Sequence, residues 1–297
     1  MPILGQNFTA LEKVLNGVYN VEMGTKKDYV SRLFNVEKST RSKEERVGLN
    51  NLGLMQADTG TINYDSFSQK DLVQYIHAKY SNGLQIPIEE YQIYKEYSKL
   101  KTKTKQLADS AHLTRQYHGA SVFNNAFTAG STGGSDAVCL CSASHPLSNE
   151  DASVQNNVGT LSLTSANIDT VMTSMRNMTD DRENMIGLNP SLLLVGNSYA
   201  KKAKEITGSD KEPYTNENQI NVWSDELTHL VFPYITGNKW FIIDPNMMNR
   251  YLRWFDVKKP KIEHVLDFDN EQLKFKTVGI WSFGWDEWSW IYGNDND

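Results

Sequence analysis

The side chains with the clearest chemical potential are two cysteines and a histidine that lie close together, Cys139, Cys141 and His145. A thiol beside an imidazole can act as a nucleophile pair, and the same residue types bind zinc. A zinc site needs further ligands at suitable spacing, and the flanking sequence supplies no second cysteine pair and no paired histidines. Both thiols lie in an apolar stretch that predicts a strand, so we interpret the cluster as structural.

Two pairs of adjacent acids, Asp180–Asp181 and Asp286–Glu287, could bind a metal ion or transfer protons. Neighbouring charges are more typical of a turn that faces water, and we predict that role for both pairs. The sequence also lacks the spacing of a phosphate-binding loop, a dinucleotide fingerprint, a nucleophile elbow or a zinc-protease helix. We therefore assign no catalytic, cofactor-binding or metal-ligating residue.

Large aromatic side chains are concentrated near the C-terminal end of the sequence. They are Trp281, Phe283, Trp285, Trp288 and Trp290. Such a cluster could stack on a sugar ring or a nucleobase. The alternating spacing is more typical of a β-sheet with one packed aromatic face, and that is the role we predict.

Length and composition are those of a folded protein with a substantial core. The chain has 297 residues, of which 39% are hydrophobic and 22% charged, and its formal net charge is -6. No long Lys/Arg run is present, which argues against a surface devoted to neutralising nucleic-acid phosphate. No apolar run predicts a membrane span, and the first residues do not resemble a signal peptide. The close spacing of the two cysteines is poor for a disulfide and favours a reducing cytoplasm.

A long amphipathic helix is predicted between two regions of strand and loop character. It covers 88–127, where no proline occurs and only a narrow stripe is apolar. Thr104 interrupts that stripe, and Arg115 is among the polar residues expected on the exposed faces. About forty residues would span roughly 60 Å, a length typical of a spine or an assembly element. The apolar positions are Ile93, Tyr97, Leu100, Leu107, Ala111, Tyr117, Val122 and Ala126.

The segments before this helix cannot build a core of their own. Residues 1–50 predict one short amphipathic helix, within 8–18, and then a charged, extended arm that needs a neighbour to lie on. Residues 47–87 predict a long two-stranded excursion, with strands at 61–64 and 72–77 and a turn at Asn82–Gly83. An isolated hairpin of this kind is marginal in water unless it packs on something else.

The rest of the chain predicts a compact α+β body. A strand at 138–141 is followed by a helix that Ser165 caps and that runs to Met178, and then by a buried strand at 192–195. A further helix begins at Asn197. The last third predicts strands at 230–234, 240–243, 252–255, 262–266 and 273–278.

This order of elements resembles the major capsid proteins of tailed phages with the HK-ninety-seven-type fold. The sequence from Val47 to Met55 resembles the start of the family's E-loop, and VFNNAF at 122–127 resembles the end of its spine helix. The stretch VCLCSASHP at 138–146 is similar to the segment that follows that helix. A strand at 190–195, WFIID at 240–244 and a closing segment at 285–293 come next in the family's order, and the Mu-like head subunit group is the most similar.

The resemblance implies an α+β fold of the HK-ninety-seven-like type. Its implied parts are an N-arm at 1–45 lying across a neighbouring subunit, an E-loop hairpin at 46–87, a P-domain with the long spine helix at 88–186, an A-domain at 187–261 and a return to the P-domain at 262–297. The implied function is that of a structural, non-enzymatic major head protein of a tailed phage or prophage. It is made in the bacterial host cytoplasm and self-assembles into the icosahedral virion capsid around double-stranded DNA.

The implied partners are many copies of the same chain, arranged as pentamers and hexamers. A scaffolding protein, a portal, a decoration protein and weak non-specific contact with packaged DNA are also expected, without a cofactor or a membrane. Some members of this fold cross-link covalently through a lysine and an asparagine. Lys70 is a candidate for that lysine by position alone.

Two alternatives to a capsid protein stay open at the level of sequence. One is an α+β enzyme that uses Cys139, Cys141 or His145 in a cleft, and it predicts loss of activity on Cys139→Ala. A capsid protein predicts only packing costs for the same change. The other alternative is a sugar- or nucleic-acid-binding module built on the C-terminal tryptophans, whose fluorescence a ligand would quench.

Overall fold

The computed structural model describes residues 2–55, 57, 60, 62, 64, 69–89, 97–128, 134, 136, 138–147, 153–212, 220–267 and 269–297, without the side chains of 2–10 and 71. Its helices are α1 (Pro2–Thr25), α2 (Tyr29–Leu33), α3 (Tyr97–Asn124), α4 (Ser165–Arg176), α5 (Ala200–Gly208), α6 (Trp223–Glu226) and α7 (Pro245–Tyr251). Its strands are β1 (Asn35–Lys38), β2 (Lys43–Leu49), β3 (Gln69–Ile76), β4 (Ala78–Pro87), β5 (His145–Pro146), β6 (Val154–Gln155), β7 (Val158–Gly159), β8 (Leu192–Val195), β9 (Thr228–Val231), β10 (Lys239–Ile243), β11 (Leu252–Asp267), β12 (Gln272–Trp285) and β13 (Ile291–Asp295).

Two mixed sheets organise these elements. One has the strand order β1-β11-β12-β4, and the other has the order β7-β13-β10-β8-β9. Within the first sheet, β11 and β12 form a long antiparallel ribbon whose register shifts between Asp256 and Lys258 and again between Lys258 and Lys261. The second sheet and α4 form the main hydrophobic core, with the strands of 192–195 and 240–243 buried. This mixture of separate helices and mixed sheets is the α+β class that the sequence predicts.

The N-terminal segment forms a longer helix than expected and lies on its own chain. Helix α1 extends to Thr25, and Leu11 and Leu15 are buried in a small core shared with α3 and the first sheet. The hydroxyl groups of Tyr19 and Thr277 are 2.6 Å apart. The sequence correctly indicated a segment without a core of its own. The neighbour that covers it here is the same chain's spine helix and sheet.

Helix α3 is the predicted spine helix, but its described part is shorter than expected. It covers Tyr97–Asn124, 28 residues that span about 42 Å. Residues 88 and 89 are also helical, whereas 90–96, with Ile93, lie outside the described residues. The predicted apolar stripe is wrong at Tyr97 and Tyr117, which are exposed. Tyrosine has an apolar ring and a polar tip, so it is tolerated at the margin of a buried face.

Arg115 is buried, and its predicted position on an exposed face is wrong. Its guanidinium donates two hydrogen bonds to the Asp256 carboxylate, at 2.7 and 3.0 Å, and lies 4.6 Å from the ring centre of Trp254. The Trp254 indole N–H also donates to Asp256, at 2.8 Å. Arg115 follows Leu107 and Ala111 at intervals of four residues, so helical periodicity places it on the buried face. The pair therefore joins the spine helix to β11.

The predicted excursion is a hairpin of β2 and β3, which among the described strands pair only with each other. The turn predicted at Asn82–Gly83 is wrong, since both residues lie within β4, opposite Thr277 and Lys276 of β12. A Cβ atom on Gly83 would lie 3.0 Å from the Phe275 carbonyl oxygen, so this glycine permits close strand approach. The strand predicted at 61–64 falls partly outside the described residues, and Ile62 and Tyr64 are not in a strand.

The predictions for the body are mostly confirmed. Strands β8 and β10 lie where expected, while the strands predicted at 252–255 and 262–266 are one continuous strand, β11. The strand predicted at 138–141 is wrong, since these residues have irregular backbone. The apolar character of the segment reflects the burial of Leu140 and Cys141 and not a strand. Helix α4 begins as predicted, but its capping side chain is Thr164, which accepts a hydrogen bond from the Asn167 amide, rather than Ser165.

The buried pair of Arg115 and Asp256 generates a stability prediction. Replacing Arg115 with Met leaves an uncompensated carboxylate in the core, and we expect the free energy of unfolding to fall by about 3–5 kcal/mol. The matched control is Lys101→Met on the exposed face of the same helix, which should change it by less than about 0.5 kcal/mol. Urea denaturation of the unassembled subunit measures both. Equal effects of the two changes would contradict the role given to the pair.

Candidate assembly surface

The structure places His145 in a fully buried polar cluster. Its Nδ1 lies 2.6 Å from an Asp136 carboxylate oxygen, and its Nε2 lies 3.1 Å from the Asn157 side-chain oxygen. The imidazole stacks on the Trp288 ring with centroids 4.1 Å apart. Both ring nitrogens are therefore engaged within the protein, and the histidine holds together three separate stretches of chain.

Asn157 is the centre of this cluster, and sequence analysis did not single it out. Its side-chain NH2 donates to the carbonyl oxygens of Leu140 and Ile291, at 2.8 and 3.1 Å, and its side-chain oxygen accepts from the Ser142 amide at 2.7 Å. Fully buried asparagines are rare unless all their groups are bonded. A polar loop composition hides such a residue, so no pattern in the sequence identifies it.

The two cysteines do not join His145 in a reactive site. Cys141 is buried against Gly293, where an added Cβ atom would come within 2.6 Å of its sulfur. Burial raises the pKa of the Cys141 thiol well above its ordinary value, and the nearby Cys139 raises it further. The Cys139 thiol donates to the Cys141 carbonyl oxygen at 3.3 Å. Across the described ranges, no group of three or more His, Cys, Asp or Glu side chains is arranged to hold a metal ion.

The C-terminal tryptophans form a packed face, as predicted. Four tryptophan side chains are buried and belong to one core cluster, namely Trp281, Trp285, Trp288 and Trp290. The Trp254 and Trp281 rings stack at 6.0 Å between centroids, which links β11 to β12. Their planes are occupied by protein neighbours and are closed to a sugar or a nucleobase.

The acidic pairs contact the hairpin, and the prediction of a solvated turn is wrong for Asp286–Glu287. Asp286 accepts hydrogen bonds from the Tyr75 hydroxyl at 2.5 Å and from Arg253 at 3.0 Å. Glu287 pairs with Lys70 at 2.9 Å. Adjacent carboxylates were expected to face water because sequence spacing does not show which distant cations they meet.

The other acidic pair does lie in a turn, and one of its members also reaches the hairpin. Asp180 accepts hydrogen bonds from the backbone amides of Arg182 and Asn184, which closes the turn. Asp181 accepts from the Asn51 amide at 3.1 Å, and Arg182 donates to the Asn51 carbonyl oxygen at 3.3 Å. The hairpin is thus held on the body at Asn51 as well as at its base.

The two faces of the hairpin differ in chemistry. The inner face carries the polar contacts just described, together with Val73 and Tyr75, which pack on Phe255 of β11. The outer face is mixed, since it carries the Lys43–Glu45 ion pair as well as exposed apolar side chains, and the described residues toward the tip are also apolar and exposed. The exposed apolar side chains of the hairpin are Val47, Leu49, Leu52, Leu54, Met55, Ile62, Tyr64, Leu72 and Ile76. Exposed apolar side chains gathered on one element are typical of a surface for protein association.

The family is decided by a match over most of the chain. A family model described as phage capsid protein matches residues 75–294. The chain belongs to the phage capsid protein family. This capsid protein has no match among the curated proteins.

Solved structures show the same fold at low identity. The capsid of bacteriophage JBD30 has a TM-score of 0.58 and 11% identity, covering 71% of this chain and 92% of that chain. The corresponding values for Microbacterium phage Oxtober96 are 0.53 and 7%, covering 92% of each chain. A virus-like particle from Pyrococcus furiosus has a TM-score of 0.51 and 10% identity, covering 95% and 98%. This capsid protein therefore has the HK-ninety-seven-like fold that the sequence motifs predict.

Family and fold together confirm the predicted function. This is a phage capsid protein that forms the shell of the virion. None of the helices in the described part of the chain combines the length and apolar character that crossing a bilayer requires.

The placement of the two cysteines generates a labelling prediction. Iodoacetamide at pH 8 should modify Cys139, which is half-buried, well before the buried Cys141, whose thiol pKa is raised. Peptide mass spectrometry measures the two rates, and a denatured sample, in which both thiols react, is the control.

Substitutions extend the same test to stability. Cys139→Ala should change the free energy of unfolding by less than about 0.5 kcal/mol, and Cys141→Ala should lower it by about 1–2 kcal/mol through the cavity it leaves. Preferential labelling of Cys141 would instead indicate the activated thiol of an enzyme.

Proposed function

We propose that this capsid protein is a purely structural subunit whose hairpin lies over a neighbouring copy of the same chain. The observation that carries the proposal is the set of exposed apolar side chains on the outer face and toward the tip of the hairpin. Lys70 and Tyr75 contact acids of their own body, whereas Val47 and Leu72 are about half exposed on the outer face, beside the Lys43–Glu45 ion pair. Because apolar burial is the main source of packing energy, these exposed side chains favour contact with another chain.

The exposed apolar side chains can contribute a useful contact energy. Val47 and Leu72 are directly opposite each other in the β2–β3 register, so they form one apolar cross-strand pair on the outer face. Burying a Val or Leu side chain contributes roughly 1.5–3 kcal/mol. Because every subunit carries the same hairpin, these contacts repeat around a closed shell, and modest energies per contact suffice.

We propose the following division of the chain in the shell: N-arm 1–45, E-loop 46–87, P-domain 88–186, A-domain 187–261 and a return to the P-domain at 262–297. The free hairpin is the part in β2 and β3, because β4 belongs to the first sheet. Helix α1 packs on its own spine helix from Leu11 onward, so the hairpin is the better candidate for the element that reaches a neighbour.

The proposed partners are further copies as pentamers and hexamers, a scaffolding protein, a portal and a decoration protein, with weak contact to packaged DNA. Support comes from what similar structures contain. One structure of the bacteriophage JBD30 capsid is decorated with minor capsid protein trimers, with a TM-score of 0.55. Another is a satellite phage procapsid that includes a size determination protein, with a TM-score of 0.50. The absence of catalysis is supported by the engaged His145 and the buried Cys141.

The proposal is tested by placing a charge on the outer face. Val47→Asp should reduce the fraction of subunits found in shells, tubes or rings at least tenfold, because a carboxylate buried at the contact costs more than about 1.4 kcal/mol. Sedimentation and negative-stain microscopy of the recombinant protein measure that fraction, and urea denaturation verifies that the subunit still folds.

Val154→Asp is the matched control. Val154 is 55% exposed and lies outside the hairpin, while Val47 is 47% exposed. The control should assemble as the unmodified protein does. Normal assembly of Val47→Asp would remove the hairpin from the contact between copies.

A further inference from the structure

We propose that the acidic pair Asp286–Glu287 is a latch that fixes the direction of the hairpin on its own subunit before assembly. The inference rests on the proposed function of the hairpin as the element that covers a neighbour. It assigns Lys70 to the latch as a positioning residue. Four observations carry it. The acids lie on a turn that is hydrogen-bonded to the core, and they make two separate contacts with β3. A charge network reaches both strands of the hairpin, and the connections at the hairpin base are narrow.

The acids lie on a turn that is fixed by the core. The Asp286 amide donates to the Tyr251 carbonyl oxygen at 2.9 Å, and the Trp290 indole N–H donates to the Glu287 carbonyl oxygen at 2.6 Å. Trp288, in the same turn, stacks on the buried His145. The anchor is therefore preorganised, and the hairpin is the element whose position depends on it.

Glu287 forms an ion pair near the start of β3. Its carboxylate and the Lys70 ammonium are 2.9 Å apart, with only 18% and 19% of the two side chains exposed. Burial by itself lowers the pKa of Lys70, but the charge of Glu287 and its hydrogen bond outweigh that effect, and the pKa is raised. A partly buried pair of this kind is screened by salt far less than a surface pair.

Asp286 contacts the same strand five residues further along. It accepts from the Tyr75 hydroxyl at 2.5 Å and from Arg253 at 3.0 Å. Arg253 also donates to Glu37 at 2.6 Å, and Glu37 accepts from Arg46 at 3.0 Å. The network thus reaches both strands of the hairpin, β3 through Tyr75 and β2 through Arg46. Two contacts fix the direction of β3, whereas the strand could rotate about a single contact.

The connections at the base of the hairpin are narrow. The hairpin joins the body through 39–42 on one side and through His77 alone on the other. The His77 ring lies between the hydroxyl groups of Ser39 and Ser282, at 3.0 and 2.9 Å. The buried apolar cluster between hairpin and body consists of Val73, Tyr75 and Phe255. Polar contacts, among them those of Asn51 with Asp181 and Arg182, therefore carry much of the orientation of the hairpin.

The same geometry argues for a non-covalent role of Lys70. An ammonium held beside a carboxylate has no lone pair, and its raised pKa keeps it protonated at neutral pH. Its charge is matched within its own subunit by Glu287. Lys70 therefore acts on assembly through the hairpin it positions.

The first experiment measures hydrogen exchange of the unassembled full-length subunit. Glu287→Gln and Lys70→Met should each speed exchange of the backbone amides of β3 at least tenfold, while the amides of β8 and β10 stay unchanged. The matched control is Glu226→Gln, which removes the same charge from an exposed ion pair with Arg176. It should leave the hairpin unchanged. Joint reversal, Lys70→Glu with Glu287→Lys, should restore at least half of the lost protection.

The outcomes separate the latch from the proposed function. Unchanged exchange of β3 in both variants overturns the latch, and so does a uniform rise in exchange over the whole subunit, because the acids would then only stabilise the body. Covalent multimers of the unmodified protein on a denaturing gel that disappear in Lys70→Met also overturn it, in favour of cross-linking. Failure of the unmodified protein to form any shell, tube or ring tells against the proposed function, whatever the exchange rates are.

Assembly provides the readout that a merely structural role would not affect. With the latch open, subunits still fold but present the hairpin at variable angles, so the latch variants should give mostly irregular particles by negative-stain microscopy. Particles indistinguishable from those of Glu226→Gln would overturn the inference. The rescue by joint charge reversal should restore regular particles as well as protection.

Discussion

The buried pair of Arg115 and Asp256 is the interaction on which the arrangement of the whole subunit depends. It joins the spine helix to β11, and β11 pairs with both β1 and β12. Removing two charges from water is costly, and only a bidentate geometry with extra hydrogen bonds offsets that cost. Trp254 supplies both an N–H donor and an aromatic face to this pair. The pair therefore restricts the angle between the spine helix and the first sheet, and the surfaces built on these two elements depend on that angle.

A second constraint follows from the marginal stability of an isolated two-stranded hairpin in water. This hairpin obtains support from its own body through charged and polar side chains and through Val73 and Tyr75, which pack on Phe255. Its exposed apolar residues are the ones that the proposed contact with another copy would bury. A hairpin that its own body supports can keep such residues exposed, whereas an unsupported apolar hairpin would aggregate.

Sequence analysis recovered the elements whose residues repeat with a clear period or stand in a recognisable order. The α+β class, the spine helix, the packed tryptophans and the capsid fold belong to this group. It failed where a residue's role is set by a distant partner. Arg115 and Glu287 look like surface charges until the cations and anions they meet, 141 and 217 positions away, are known. Asn82 and Gly83 look like a turn because the dipeptide is favourable there, yet pairing with β12 overrides that local preference. The sequence draws attention to the acidic pair Asp286–Glu287, but it does not show that the pair contacts the hairpin.

The interrupted ribbon of β11 and β12 has a mechanical consequence. The register shifts near Lys258 divide it into two regular ladders, and a bulge bends and twists a strand where an unbroken ladder would resist. The bend and the extra twist are therefore located at one place beside Pro260, between two regular ladders. Wherever identical chains occupy more than one local environment in a shell, a pair of strands that bends at a single place would accommodate the difference while its core packing stays the same.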